Sequence, residues 1–195
     1  MGTANERQYL LERLPALDLP RSPLVLDVGP AGKSKKKVTP WKDIISRGAS
    51  FTGVDIVPGE DVDVVHDLSA GLGPFEGSHF DLILCTSVLE HCRAPWLLAA
   101  SLEMLLPIDG VLYVSVPFVW RYHNYGGDYW RFLPDGVEQL FPGIAWDPPV
   151  FSTSRKGEFA PAPVIKDTVA VPRRQDRKQM PVLMLHMIGR KKETS

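Results

Sequence analysis

Five short apolar runs set the limits on what this chain can fold into: Leu24–Val28, Phe51–Asp55, Val62–Val65, Phe80–Cys85 and Val111–Val116. Each is too short for a buried helix and ends at a turn or a polar residue, so each reads as a strand. Between them lie stretches with helical character, notably 40–47, with Pro40 suited to a first turn, and 93–105. Strands separated by helices and loops of this size predict a parallel, doubly wound α/β sheet with crossover connections. Residues 4–14 form an amphipathic helix with Tyr9, Leu10 and Leu14 toward the core, and 134–141 a second short one. Near the end, 182–188 reads as a buried strand. A ligand of such a sheet sits beyond the C-terminal ends of the strands. The informative residues should therefore follow Val28, Val54, Val65, Leu84 and Val116.

Composition narrows the function classes. The 195 residues suit one domain, and no apolar window is long enough to span a membrane. The net charge of −1 argues against a general nucleic-acid binder. Residues 1–17 lack the apolar stretch of a signal peptide, and the two cysteines, Cys85 and Cys92, are too few for a disulfide scaffold. The expectation is a reduced, cytoplasmic protein. No metal is assigned, because no Cys/His ligand spacing is present. Charge is uneven: residues 155–195 hold 10 basic and 4 acidic side chains. The Pro-rich basic part, 155–180, reads as a mobile loop or, alternatively, a site for an anionic partner.

The first strand runs into Asp27-Val28-Gly29-Pro30-Ala31-Gly32-Lys33-Ser34. A P-loop would need a glycine where Asp27 stands. A dinucleotide fingerprint would need one where Ala31 stands. An acidic, Gly-rich turn that binds S-adenosylmethionine gives Asp27 a use, since that ligand carries an ammonium. Asp55 ends the second strand, where a carboxylate can accept both ribose hydroxyls of an adenosine, or simply form a turn. Asp67, after the third, can accept from an adenine amino group or cap a turn. The fourth strand runs into Thr86-Ser87-Val88-Leu89-Glu90-His91. After the fifth comes an aromatic stretch carrying His123, Asp128 and Arg131. His123 or Asp128 can take a proton from a hydroxyl. Arg131 can hold a phosphate or carboxylate, or pair with Asp128. His91 is either a site residue or a turn histidine bonded to backbone.

Four blocks, over about residues 22–141, resemble class I S-adenosylmethionine-dependent methyltransferases, of the small type grouped with bacterial sugar and glycan methyltransferases. They are 25–29 (VLDVG), 52–56 (TGVDI), 80–85 with 88–91 (FDLILC and VLEH), and 115–118 with His123 and 128–132 (SVPF and DYWRF). The resemblance implies a seven-stranded sheet with its last strand antiparallel, in one domain spanning 1–195, with 144–151 as the sixth strand. It implies S-adenosylmethionine as cofactor. Asp27, Gly29 and Gly32 would lie by its methionine part, Asp55 at the ribose and Ile56 on the adenine. Asp67 and Leu68 would meet the adenine edge, with backbone near Cys85 and Thr86 at the amino end. His123, Asp128, Arg131 and His91 would face the acceptor. The implied reaction is methyl transfer to a small acceptor, a hydroxyl of a sugar or glycan precursor. Ala31, Lys33 and the following lysines depart from the pattern, which keeps open a non-catalytic, S-adenosylmethionine-binding module on the same fold.

Overall fold

The computed structural model describes residues 4–31, 41–45, 48–123, 126–153, 157–161 and 182–193. Strands β1 (Leu24–Val28), β2 (Ser50–Asp55), β3 (Val64–Val65), β4 (Leu82–Thr86) and β5 (Val111–Val119) are parallel. β9 (Leu183–Lys191) enters antiparallel beside β5. β7 (Val150–Thr153) pairs with β9, and β8 (Phe159–Pro161) forms the far edge. The order is β3-β2-β1-β4-β5-β9-β7-β8, with β6 (Ile144–Trp146) paired to the end of β9. The sheet is mostly parallel with an antiparallel last strand, as expected for a doubly wound α/β fold.

The strand count differs, nine rather than seven among the described residues. The stretch 144–151, expected as one strand, divides into β6 and β7. Pro148 and Pro149 sit between the two and have no N–H to give a ladder. β8 lies inside 155–180, the stretch read as a mobile loop. Residues 162–180 of that stretch lie outside the described residues, as do Gly32 and the lysines at 33 and 35–37. The helix expected over 40–47 is represented by one 3-10 turn, Trp41–Asp43, with 40, 46 and 47 undescribed.

Both faces of the sheet are covered, which is why its strands are almost continuously apolar. Alternate residues serve opposite layers. Leu26, Val28, Ile83, Cys85, Leu112 and Val114 pack with Leu98 and Leu102 of α2 (Pro95–Met104) and Val137 of α3 (Pro134–Leu140). Val25, Leu82, Leu84, Val111 and Tyr113 pack with Tyr9 and Leu10 of α1 (Ala4–Arg13), and with Trp41 and Ile45. Burying a side chain such as Leu10 or Leu102 contributes about 2 kcal/mol. α2 begins with a proline in its first turn, where no N–H is required.

The strand order locates the crevice. β1 lies between β2 and β4, so the chain leaves β1 to one side and returns on the other. The loops after β1 and β4 therefore diverge. β5 carries an irregularity between Pro117 and Val119, just where it reaches the crevice.

Candidate functional site

A cavity of about 730 Å³ opens at the C-terminal ends of β1, β2, β4 and β5. Gly29 forms its floor with φ +75°, and a Cβ there would lie 2.6 Å from Val88 Cγ2. Only glycine combines that backbone with that proximity. Asp55 also lines the cavity. Its carboxylate is aimed by two backbone amides: Oδ2 accepts from Ala31 N at 2.9 Å and Oδ1 from Val57 N at 3.2 Å. Ala31 is not among the described residues with positive φ, so an alanine is tolerated at the position expected to be glycine. Ile56 lines the cavity while 68% exposed, an apolar side chain with an uncovered face.

Asp67 and Leu68 complete that end of the cavity. Asp67 is also an N-cap: Oδ1 accepts from Ser69 N at 2.9 Å and Ser69 Oγ at 2.6 Å. Of the two roles that the sequence left as alternatives, the cap is the one these bonds make. Asp27, Cys85 and Thr86 are not part of the lining. Cys85 and Thr86 are buried in β4, and burial pushes the Cys85 thiol well up. Beyond the end of β4 the cavity is lined by Ser87 and Val88. Ser87 has φ +55°, an uncommon conformation for a residue with a side chain. It is held there by its N–H to Ser115 O (2.8 Å) and its Oγ to Glu6 Oε1 (3.1 Å). Loss of solvent near the end of β1 pushes the Asp27 carboxyl up to about 7, with Asp61 and Asp55 adding to the shift.

At the other end the turn after β4 meets the loop after β5. Tyr129 N donates to Glu90 O (2.8 Å), Trp130 Nε1 to Cys92 O (2.8 Å) and Arg93 Nε to Tyr129 OH (3.0 Å). These bonds bring His91 and His123 together, ring centroids 4.9 Å apart, both lining the cavity. His91 Nδ1 bonds the Gly127 carbonyl, so this nitrogen carries the proton. His123 Nδ1 lies 3.2 Å from Asp128 Oδ2, which also accepts from His123 N at 2.8 Å. Asp128 and Arg131 are outside the lining. Arg131 binds both Asp128 oxygens and holds that carboxyl well below its usual range. Its guanidinium also reaches the Trp120 and Arg121 carbonyls. Arg131 therefore braces the loop instead of presenting a cation to the cavity.

Glu90 is the residue that sequence reasoning passed over. It is 1% exposed and contributes to the cavity wall. Its Oε2 makes no hydrogen bond among the described residues. Burial pushes its carboxyl up to about 8, with the Glu6 carboxylate adding to the shift. The available signal was a glutamate inside the otherwise apolar start of Val88-Leu89-Glu90. Glu90, His91 and His123 each offer a ligand atom, and these atoms lie within 4.8 Å of one another. No such grouping is visible in the linear spacing.

No family profile and no curated relative matches this chain. Solved structures do. The 1,6-didemethyltoxoflavin-N1-methyltransferase of Burkholderia thailandensis, solved with 1,6-didemethyltoxoflavin and S-adenosylhomocysteine, superposes with TM-score 0.62. Identity is 18%, over 96% of this chain and 77% of that one. The N-methyltransferase NodS of Bradyrhizobium japonicum, in complex with S-adenosylhomocysteine, gives 0.58 at 13% identity, over 95% and 86%. YcgJ of Bacillus subtilis gives 0.60 at 13%, over 98% and 100%. The chain has the methyltransferase fold. No helix among the described residues is long and apolar enough to cross a membrane.

Proposed function

We propose that this chain is an S-adenosylmethionine-dependent methyltransferase acting on a small acceptor. The observation that carries the reading is the cavity at the crevice of a methyltransferase-fold sheet, with Gly29 at its floor and Asp55 aimed by two amides. The fit of the cofactor is supported by that donor set. Asp55 would hold the ribose hydroxyls, Ile56 would cover one adenine face, and Asp67 with Leu68 would meet the adenine edge. Gly29 and the Ser87 turn would line the methionine part, with Gly32 and Asp27 assigned there from the sequence motif. S-adenosylhomocysteine bound in fold neighbours agrees with this reading.

Bound S-adenosylmethionine would supply the activated methyl group. The protein's own task is to align an acceptor and handle its proton. His123, oriented by Asp128, and His91, oriented by the Gly127 carbonyl, form the proton-handling wall. Trp120 and Tyr129 give that part of the cavity an aromatic surface. We assign the acceptor as a hydroxyl of a sugar or glycan precursor. The sequence blocks after β4 and β5 support this, as does one fold neighbour solved with S-adenosylhomocysteine and D-fucose (TM-score 0.57).

The test is methyl-labelled S-adenosylmethionine with a panel of sugars, sugar phosphates and small amines, read by mass spectrometry of the products. A methylated sugar hydroxyl is expected, with His123→Ala lowering kcat by about 10²- to 10⁴-fold. Methylation of amines alone would overturn the acceptor assignment. Binding of S-adenosylhomocysteine with no product across the panel would favour the non-catalytic module.

A further inference from the structure

We infer that Glu90, His91 and His123 form a binding site for one divalent transition-metal ion at the acceptor end of the cavity. The ion site stands on side-chain geometry, and its role in the reaction rests on the methyltransferase reading above. Three observations carry it. One ligand atom from each residue lies within 4.8 Å of the others, and all three line the cavity. In a tetrahedral site with bonds of about 2.1 Å, ligand atoms sit about 3.4 Å apart, so side-chain rotation closes the set.

The second observation is Glu90 itself. It is 1% exposed, its Oε2 has no hydrogen-bond partner among the described residues, and its Oε1 lies 3.8 Å from His91 Nε2. A buried carboxylate oxygen that makes no hydrogen bond is costly unless a cation meets it.

The third is the support behind the imidazoles. His91 gives its Nδ1–H to a backbone carbonyl, and His123 Nδ1 faces the Asp128 carboxylate at 3.2 Å. A carbonyl partner like that of His91 fixes the tautomer and orientation of a metal-bound histidine, and Asp128 places His123 through its backbone N–H. Arg131, the nearby cation, is engaged by Asp128.

Two imidazoles and one carboxylate suit Zn²⁺, Fe²⁺ or Mn²⁺ better than Ca²⁺, which takes oxygen ligands. Three protein ligands leave a position for an acceptor oxygen. With the ion bound, the two imidazoles would act on the acceptor through it and not as direct proton acceptors: the ion would lower the pKa of a bound hydroxyl, whose proton would pass to water.

The experiment uses the full chain stripped with a chelator. Zn²⁺ alone is titrated against a competing chelator, and Co²⁺ alone is followed by its visible absorption. One ion per chain is expected, with Glu90→Gln, His91→Ala and His123→Ala each weakening binding at least tenfold. His79→Ala, an exposed histidine away from the cluster, should leave it unchanged. Circular dichroism checks that each variant folds, and should Glu90→Gln fail, the two histidine variants decide. Absence of stoichiometric binding, or binding that survives both histidine variants, overturns the site. S-adenosylhomocysteine is titrated in parallel. If it binds and the metal does not, the ion site fails and the methyltransferase reading stands. If the metal binds and it does not, the reverse holds.

Discussion

Glu6 and Glu90 are both buried carboxylates near the end of β4, 0% and 1% exposed, yet their surroundings are opposite. Glu6, on α1, accepts from Ser115 Oγ at 2.6 Å and Ser87 Oγ at 3.1 Å. Its backbone carbonyl accepts from Tyr113 OH at 3.2 Å. The chain of bonds continues through His186 Nδ1, 3.0 Å from Tyr113 OH, to Ser152 Oγ, 2.7 Å from His186 Nε2. Since Tyr113 donates to Glu6, His186 must be the Nδ1–H tautomer, accepting at Nε2 from Ser152. Glu90, by contrast, keeps an oxygen without a hydrogen bond among the described residues. A satisfied polar network stabilises one arrangement of a core, whereas an unsatisfied buried carboxylate oxygen calls for water or an ion to meet it. The first network holds α1 and the strained Ser87 turn in place. The second faces the cavity.

The contrast breaks most easily at Glu6. Glu6→Ala leaves the buried Ser115 hydroxyl and the half-buried Ser87 hydroxyl without their acceptor and opens a void. It should cost about 3 kcal/mol, a fall in Tm of roughly 6–12 °C by calorimetry. A change under about 2 °C would mean that the network is incidental.

His186 gives the next effect. Burial lowers its imidazole to about 3, against 6.5 ordinarily. Below pH 6.5 the unfolded chain takes up a proton that the folded chain refuses. Stability should therefore decline by about 1.4 kcal/mol per pH unit as pH falls from 6.5 toward 3, with no contribution above 6.5. Imidazole nitrogen shifts at pH 5 should still show His186 neutral and protonated at Nδ1. A charged ring at that pH would break the chain of bonds drawn above.

On the site side the effects should be on ligands more than on stability. Asp55→Ala should weaken S-adenosylhomocysteine binding about tenfold or more, about 1.4 kcal/mol, measured by calorimetry. The ligand-free Tm should change little. Glu90→Gln is the smallest in stability: a shift in Tm under about 2 °C is expected, because the neutral amide replaces a carboxyl that burial already disfavours as an anion. A loss as large as that of Glu6→Ala would erase the distinction between the two carboxylates.

The fold was legible in the sequence because the strands repeat one physical pattern, a short apolar run buried on both faces. The failures were local. Pro148 and Pro149 split a strand whose apolar composition alone suggested continuity. The lining of the cavity was legible at Gly29, Asp55, Ile56, Asp67 and Leu68, since each follows a strand end where a crevice must lie. Cys85 and Thr86 lie outside that lining, because whether a strand's last side chains point inward depends on where its ladder stops. Arg131 read as an acceptor anchor or a partner of Asp128, and the bidentate pairing that decides between them is a tertiary fact that an i, i+3 spacing only permits. Glu90 was hidden for the same reason. Its meeting with His123 joins residues 33 apart through bonds between two loops.

The most direct measurement is a calorimetric titration of the full chain with S-adenosylhomocysteine, with ATP and NAD as controls. A Kd of about micromolar order, worth about 8 kcal/mol, is expected for the first, weakened in Asp55→Ala and without measurable heat for the controls. Heat with ATP or NAD and none with S-adenosylhomocysteine would contradict the reading of this cavity as a methyltransferase site.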